Sequence, residues 1–194
     1  MPRRDGLVKQ IRTLYVSSRR AWRLWLSRNY RSASEIWLVY YRKSTGKKRI
    51  AYNDAVEEAL CFGWIDSRQR TLDGERSAQR FSPRRSGRAY SQANIVRLRK
   101  LIRQRKVRKE VLQMLGDLPT RRYRFPADIL AAIRANSLAW GNFRKFSLPY
   151  REIRIAFIDG ARGRPKEFHK RLRYFIRMSE RGKQYGYGGI ERHF

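Results

Sequence analysis

Asp66 stands two residues after Trp64 and two before Arg68, in a stretch (residues 57–85) that also carries Arg80 and Arg84. Alternation along a strand sends Trp64, Asp66 and Arg68 to one face. If the next segment folds back, Arg80 comes opposite them. A carboxylate between guanidiniums stays ionised, orients them and leaves N–H donors for a phosphate or a ligand carboxylate. The spacing predicts an anion-binding cleft made of Trp64, Asp66, Arg68, Arg80 and Arg84, with Trp64 as a wall. The same residues equally describe an ion-pair cluster that pins the register of a hairpin.

Other candidates for chemistry are weaker. Glu57 and Glu58, opposite Ala59 and Leu60 on a helical pattern, are expected to face solvent. Using either as a general base would require burial, so no catalytic residue is assigned. Cys61 lies beside an apolar stripe with no histidine near it in sequence, which predicts a buried, inert thiol. His169 and His193 are the chain's two imidazoles, both late in the sequence. No metal centre, phosphate-cradling glycine loop or cofactor is expected.

The elements that must hold these residues follow from caps and periodicity. Residues 1–16 read as a loose basic arm. Ser17 or Ser18 caps a helix with Ala21, Trp22, Trp25 and Leu26 on one side. Residues 35–43 (EIWLVYYRK) read as a central strand covered on both faces. A second helix starts at Asn53 or Asp54 and stops at Gly63 in a left-handed conformation. Strands at 64–70 and 76–82 turn at Leu72-Asp73-Gly74.

A helix from Ser91 should bury Ile95, Leu98, Leu101 and Ile102 and turn Arg97, Arg99, Lys100 and Arg103 to solvent. Short helices are expected around 111–115, from Pro126, around Trp140 and Phe143, over 150–159, and from Pro165 to about Ser179, with Phe168, Leu172, Phe175 and Ile176 on one side. The plan is α+β: a small antiparallel sheet of about three strands packed on helices, then a helical region. It divides into an arm (1–16), an α+β core (17–104), a helical region (105–181) and a Gly/aromatic tail (182–194).

The chain carries 47 Lys and Arg against 16 Asp and Glu, a net charge of +31. Self-repulsion of this size points to an anionic ligand or polyanion as partner, with adaptation to high salt or heat, or Arg-rich codon usage, as the equal alternative. Five Trp, 11 Tyr and 9 Phe give enough apolar surface to fold. Arg97, Lys100, Arg103, Arg121 and Arg122 supply phosphate-neutralising charge, and Tyr123 a stacking surface, for non-specific RNA or DNA binding. A single cysteine, no secretory pattern and no apolar run long enough to span a bilayer lead to a cytoplasmic expectation.

The motifs EEALCFGWIDS (57–67) and QRFSPRR (79–85) resemble the YdeI/OmpD-associated, bacteriocin-protection family, and Trp140, Phe143, Pro149, Tyr150 and Arg151 resemble its C-terminal pattern. The resemblance runs from about residue 17 to 181 and points to Trp64, Asp66, Arg80, Phe81, Pro83 and Arg84. It implies a non-enzymatic part in tolerance of bacteriocins and cationic antimicrobial peptides. Tyr90 stands where the family often has tryptophan, and residues 164–168 depart from its Pro-Glu-Thr-Arg run. A +31 protein repels cationic peptides, so an anionic intermediary is expected rather than direct sequestration.

Overall fold

The computed structural model describes residues 11–85 and 87–186. Most of the basic arm and of the tail, with His193, therefore lies outside the described residues. The chain forms two compact units divided between Gly87 and Arg88.

Among its described residues the first unit is a four-stranded mixed sheet with two α-helices and a short 3-10 turn at Lys43–Thr45: β1 (Thr13–Tyr15), α1 (Arg19–Asn29), β2 (Ile36–Tyr41), α2 (Tyr52–Cys61), β3 (Trp64–Thr71) and β4 (Arg76–Pro83). The strand order is β1-β2-β4-β3, with β1 parallel to β2 and the other pairings antiparallel. The α+β class holds, and the sheet gains a fourth strand. β1 was read as part of the arm because three residues carry too little pattern: its ladder comes from β2, more than twenty residues on.

β2 has the burial of an interior strand, with five of its six residues buried. Its β-branched and aromatic side chains suit two covered faces. Ser18 caps α1 by accepting from the backbone N–H of Ala21 at 3.2 Å. Trp22 and Leu26 are fully buried; the Trp22 indole stacks on Trp25 and meets Phe81, and its N–H donates to the Ala55 carbonyl at 3.0 Å.

α2 begins earlier than Asn53, with Ala51 at the cap and no side-chain cap, because Asp54 is drawn to Arg19 at 2.9 Å instead. Gly63 has φ of 72°, and its carbonyl accepts from Arg84 N–H at 2.9 Å. That residue sets the angle at which β3 leaves the helix. At the hairpin tip the Asp73 carboxylate accepts from the N–H groups of Glu75 and Arg76, at 2.9 and 2.8 Å.

The second unit is helical among its described residues: α3 (Gln92–Arg103), α4 (Lys109–Leu115), α5 (Ala127–Arg134), α6 (Ser137–Lys145), α7 (Leu148–Asp159) and α8 (Pro165–Glu180). Ser91, Asn136 and Ser147 cap α3, α6 and α7 through side-chain oxygens. Ile129, Ile133, Phe143, Phe146, Tyr150, Ile155, Ile158 and Phe175 form one apolar cluster. The Asn142 amide fastens α6 to the end of α8, donating to the carbonyls of Ser179 and Glu180 at 2.9 and 3.2 Å.

Here the division differs from a core ending at residue 104. α3 packs on α7, with Gln92 and Arg99 both reaching Glu152, at 2.8 and 2.5 Å. Helical periodicity shows that a face is buried, not what covers it. The stripe itself is also turned: Val96, Leu98 and Leu101 are buried together with Arg97, whereas Ile95 and Ile102 are half-buried.

Replacing Gly63 by Ala places a Cβ on a left-handed residue, at a cost of about 1–2 kcal/mol. A lowered urea midpoint with unchanged slope is expected; an unaltered midpoint would show that the turn tolerates a side chain.

Candidate functional site

The register of the hairpin separates the two halves of the expected cleft. Asp66 lies opposite Phe81, while Arg80 lies opposite Trp37 on the neighbouring strand. Asp66 and Arg80 therefore project from opposite faces, because residues 80 and 81 alternate. Asp66 accepts from the Tyr52 hydroxyl at 2.6 Å and from the Gln79 amide at 3.4 Å. Arg80 donates through Nε and Nη2 to one oxygen of Glu35, at 2.8 and 2.6 Å, and through Nη1 to Ser67 and Ser82.

The remaining members do not rebuild the cleft. Trp64 is 1% exposed and is core, its indole donating to the Tyr30 carbonyl at 3.1 Å. Arg68 is exposed, in a register irregularity between Asp66 and Gln69 that simple alternation does not anticipate. Arg84 is half-buried and closes the base of the hairpin through its backbone. The clasp of Asp66 by Arg80 is not formed.

A different charge cluster holds this unit together. Glu57 and Glu58, expected in solvent, are each 2% exposed. Arg19 reaches Asp54, Glu57 and Glu58 at 2.9, 2.9 and 2.5 Å, and Arg23 reaches Glu58 at 2.6 Å. Burial disfavours the Arg19 charge, but Glu58 and Glu57 outweigh that and hold its pKa above the ordinary guanidinium value. The signal was present as Arg19 and Arg23 one helical turn apart, matched by Asp54, Glu57 and Glu58. Cys61 is buried as expected, and desolvation, with the charge of Glu58 behind it, pushes its thiol up to about 11.

The residues expected to meet nucleic acid divide. Arg97 is 5% exposed and donates to Asn94 at 2.8 Å, so it is not on the solvent face. Arg99, counted as solvent-facing, donates to Glu152 and to the carbonyls of Pro119 and Arg121. Lys100 is half-buried, Arg103 and Arg122 are exposed, and exposed Arg121 pairs with Asp117 at 3.0 Å. Tyr123 is half-buried, edge-on to Phe125, and burial pushes its phenol up to about 12.

A cavity of different character lies between α7 and α8, where the sequence signals an apolar stripe on α8. It holds about 820 Å³ and is lined by Phe157, Tyr174 and Tyr185 together with Lys170, Arg173 and Arg177. Among the described residues its one acidic lining residue, Glu167, is engaged by Arg171 at 2.8 Å, which holds its carboxyl below the usual range. Among the described residues Lys170 and Arg173 have no ion-pair partner. Buried Arg154 lies behind the rings, its guanidinium 5.6 Å from the Phe157 centroid and 5.4 Å from that of Tyr185. Lys166, Lys170, Arg173 and Arg177 recur at spacings of 4, 3 and 4, so one basic face of α8 was legible as a helical stripe.

Among the described residues no group of three His, Cys, Asp or Glu is placed to hold a metal ion, and no helix is long and apolar enough to cross a membrane. The strong features are thus a buried ion network and a cationic, aromatic-walled cavity.

Stripping the guanidinium by Arg19→Met leaves two buried carboxylates without their main counter-charge. The expected loss is about 3 kcal/mol, the lower end for breaking a buried pair, because Arg19 keeps 29% side-chain exposure. Adding Glu58→Gln should restore part of it in chemical denaturation; purely additive losses would contradict the coupling.

For Cys61, the native thiol should resist iodoacetamide near neutral pH and react at the rate of unfolding. Its folded pKa lies above the ordinary 9.0. The stability it contributes is therefore complete below about pH 9 and falls as pH rises toward 11. Rapid alkylation of the native protein at pH 8 would refute this.

Residues 14–114 match the family model described as Domain of unknown function (DUF8412), and residues 122–182 match the one described as Bacteriocin-protection, YdeI or OmpD-Associated. No curated protein and no solved structure matches the chain. The family expected from EEALCFGWIDS and QRFSPRR is thus matched on the later stretch that holds Trp140, Phe143 and Tyr150, whereas those two motifs fall in the first match. The chain belongs to the DUF8412 family, whose model spans more than half of it, and its residues 122–182 are similar to the family described as bacteriocin-protection, YdeI or OmpD-associated.

Proposed function

We propose that this chain is a non-enzymatic, cytoplasmic protein of the bacteriocin-tolerance type that works by binding an anionic ligand in the α7–α8 cavity. The observation that carries the reading is that Lys170, Arg173 and Arg177 line one cavity, where the acidic side chain among the described lining residues, Glu167, is already engaged by Arg171. Clustered cations on one helix face focus a positive potential on the cavity and attract an anion. Apart from Tyr185, these lining residues lie within the segment matched to the bacteriocin-protection family. A net charge of +31 repels cationic peptides, which favours action through an anionic partner.

Non-specific binding of RNA or DNA is the second reading, supported by the same charge and by exposed Arg103 and Arg122. It predicts affinity that falls steeply with salt and depends on those two residues.

Calorimetric titration with inorganic tripolyphosphate at fixed ionic strength tests the cavity. The pair Lys170→Ala/Arg173→Ala should weaken binding about tenfold or more, and Arg103→Ala/Arg122→Ala should leave it within about twofold. Equal losses in both pairs would mean diffuse attraction to surface charge and would reject the cavity.

A further inference from the structure

We propose that the ligand of the α7–α8 cavity is a nucleoside phosphate, its base against the aromatic wall and its phosphates on Lys170, Arg173 and Arg177. This rests on the anion-binding reading of the same cavity and narrows it to a ligand class.

The argument is that the cavity offers two chemistries where an inorganic anion needs one. Cations satisfy phosphate oxygens. Ring faces carry negative quadrupole density, so they repel a bare anion and attract cations or other π-systems. The rings already seat Arg154, Arg171 and Arg177, but the exposed part of Tyr174 and Phe157 is ring surface that an inorganic phosphate leaves unused. Phe157 and Tyr174 are 38% and 39% exposed, so part of each ring is open to a ligand.

The rings are held in place. Arg171 lies 3.7 Å from the Phe157 centroid and donates to the Phe157 carbonyl at 2.7 Å. Tyr185 meets Tyr174 edge-on at 4.7 Å, and its backbone N–H donates to the Tyr150 hydroxyl at 3.1 Å. Arg171 already stacks on Phe157, so the exposed surface of Tyr174 is where a planar base can lie, at little cost in ordering the protein. The volume of about 820 Å³ is more than a phosphate fills and lies in the roughly 300–1,000 Å³ span of small-ligand sites. Charge and rings meet on α8 itself, since Lys170, Arg173, Tyr174 and Arg177 all belong to it.

The experiment titrates the full chain, at one ionic strength, with adenosine triphosphate and with inorganic tripolyphosphate. Adenosine triphosphate should bind at least about tenfold tighter. Tyr174→Ala should remove that advantage without changing the tripolyphosphate affinity, Tyr174→Phe should keep it, and Lys170→Ala/Arg173→Ala should weaken both ligands. Circular dichroism checks that each variant is folded. Equal affinity for the two ligands, or an advantage that survives Tyr174→Ala, overturns the nucleotide proposal while the anion reading stands. Failure of both to bind overturns both.

Discussion

The constraint behind this molecule is arithmetic: 47 cationic side chains and 16 acids. A guanidinium withdrawn from water needs a carboxylate, a carbonyl or a ring face, and here carboxylates run short. Three buried acids meet arginines, Glu57 and Glu58 against Arg19 and Arg23 and Glu152 against Arg99. Carbonyls take further arginines, as Pro119 and Arg121 do for Arg99 and Phe157 for Arg171. Rings take others: Phe62 receives Arg23, Trp140 receives Arg134, and Tyr150, Phe157 and Tyr185 surround Arg154. The richness in aromatics and the richness in arginine are two sides of one solution.

Local signals in the sequence were legible wherever the chain decides its own geometry. Ser18 and Ser91 cap the helices they were expected to cap, Gly63 takes a positive φ, and the apolar run of β2 lies inside the sheet. Illegible features depend on partners far along the chain. β1 is three residues long and exists through its ladder with β2. Glu57 and Glu58 are polar letters whose burial is stabilised by arginines more than thirty residues away. The anion cleft failed on a matter of parity: strand residues 80 and 81 face opposite ways, and Phe81, not Arg80, is the partner of Asp66.

The cavity shows the same limit from the other side. The apolar stripe of α8 stands out in the sequence and its basic stripe does not, because a charge-rich helix face in a charge-rich chain carries little contrast. What distinguishes Lys170, Arg173 and Arg177 is that Phe157 from α7 and Tyr185 beyond α8 bring ring surface to them. Packing, not composition, turns common residues into a site.

β3 is an outermost strand of the sheet, and Arg68, Gln69 and Arg70 stand exposed along it beside a register irregularity. An open strand border invites a second copy to add its own strand and start a fibre. Guanidiniums in that row meet their own kind on any incoming copy, and the broken pleat misaligns its ladder. The cationic surplus thus doubles as a guard against self-templated aggregation.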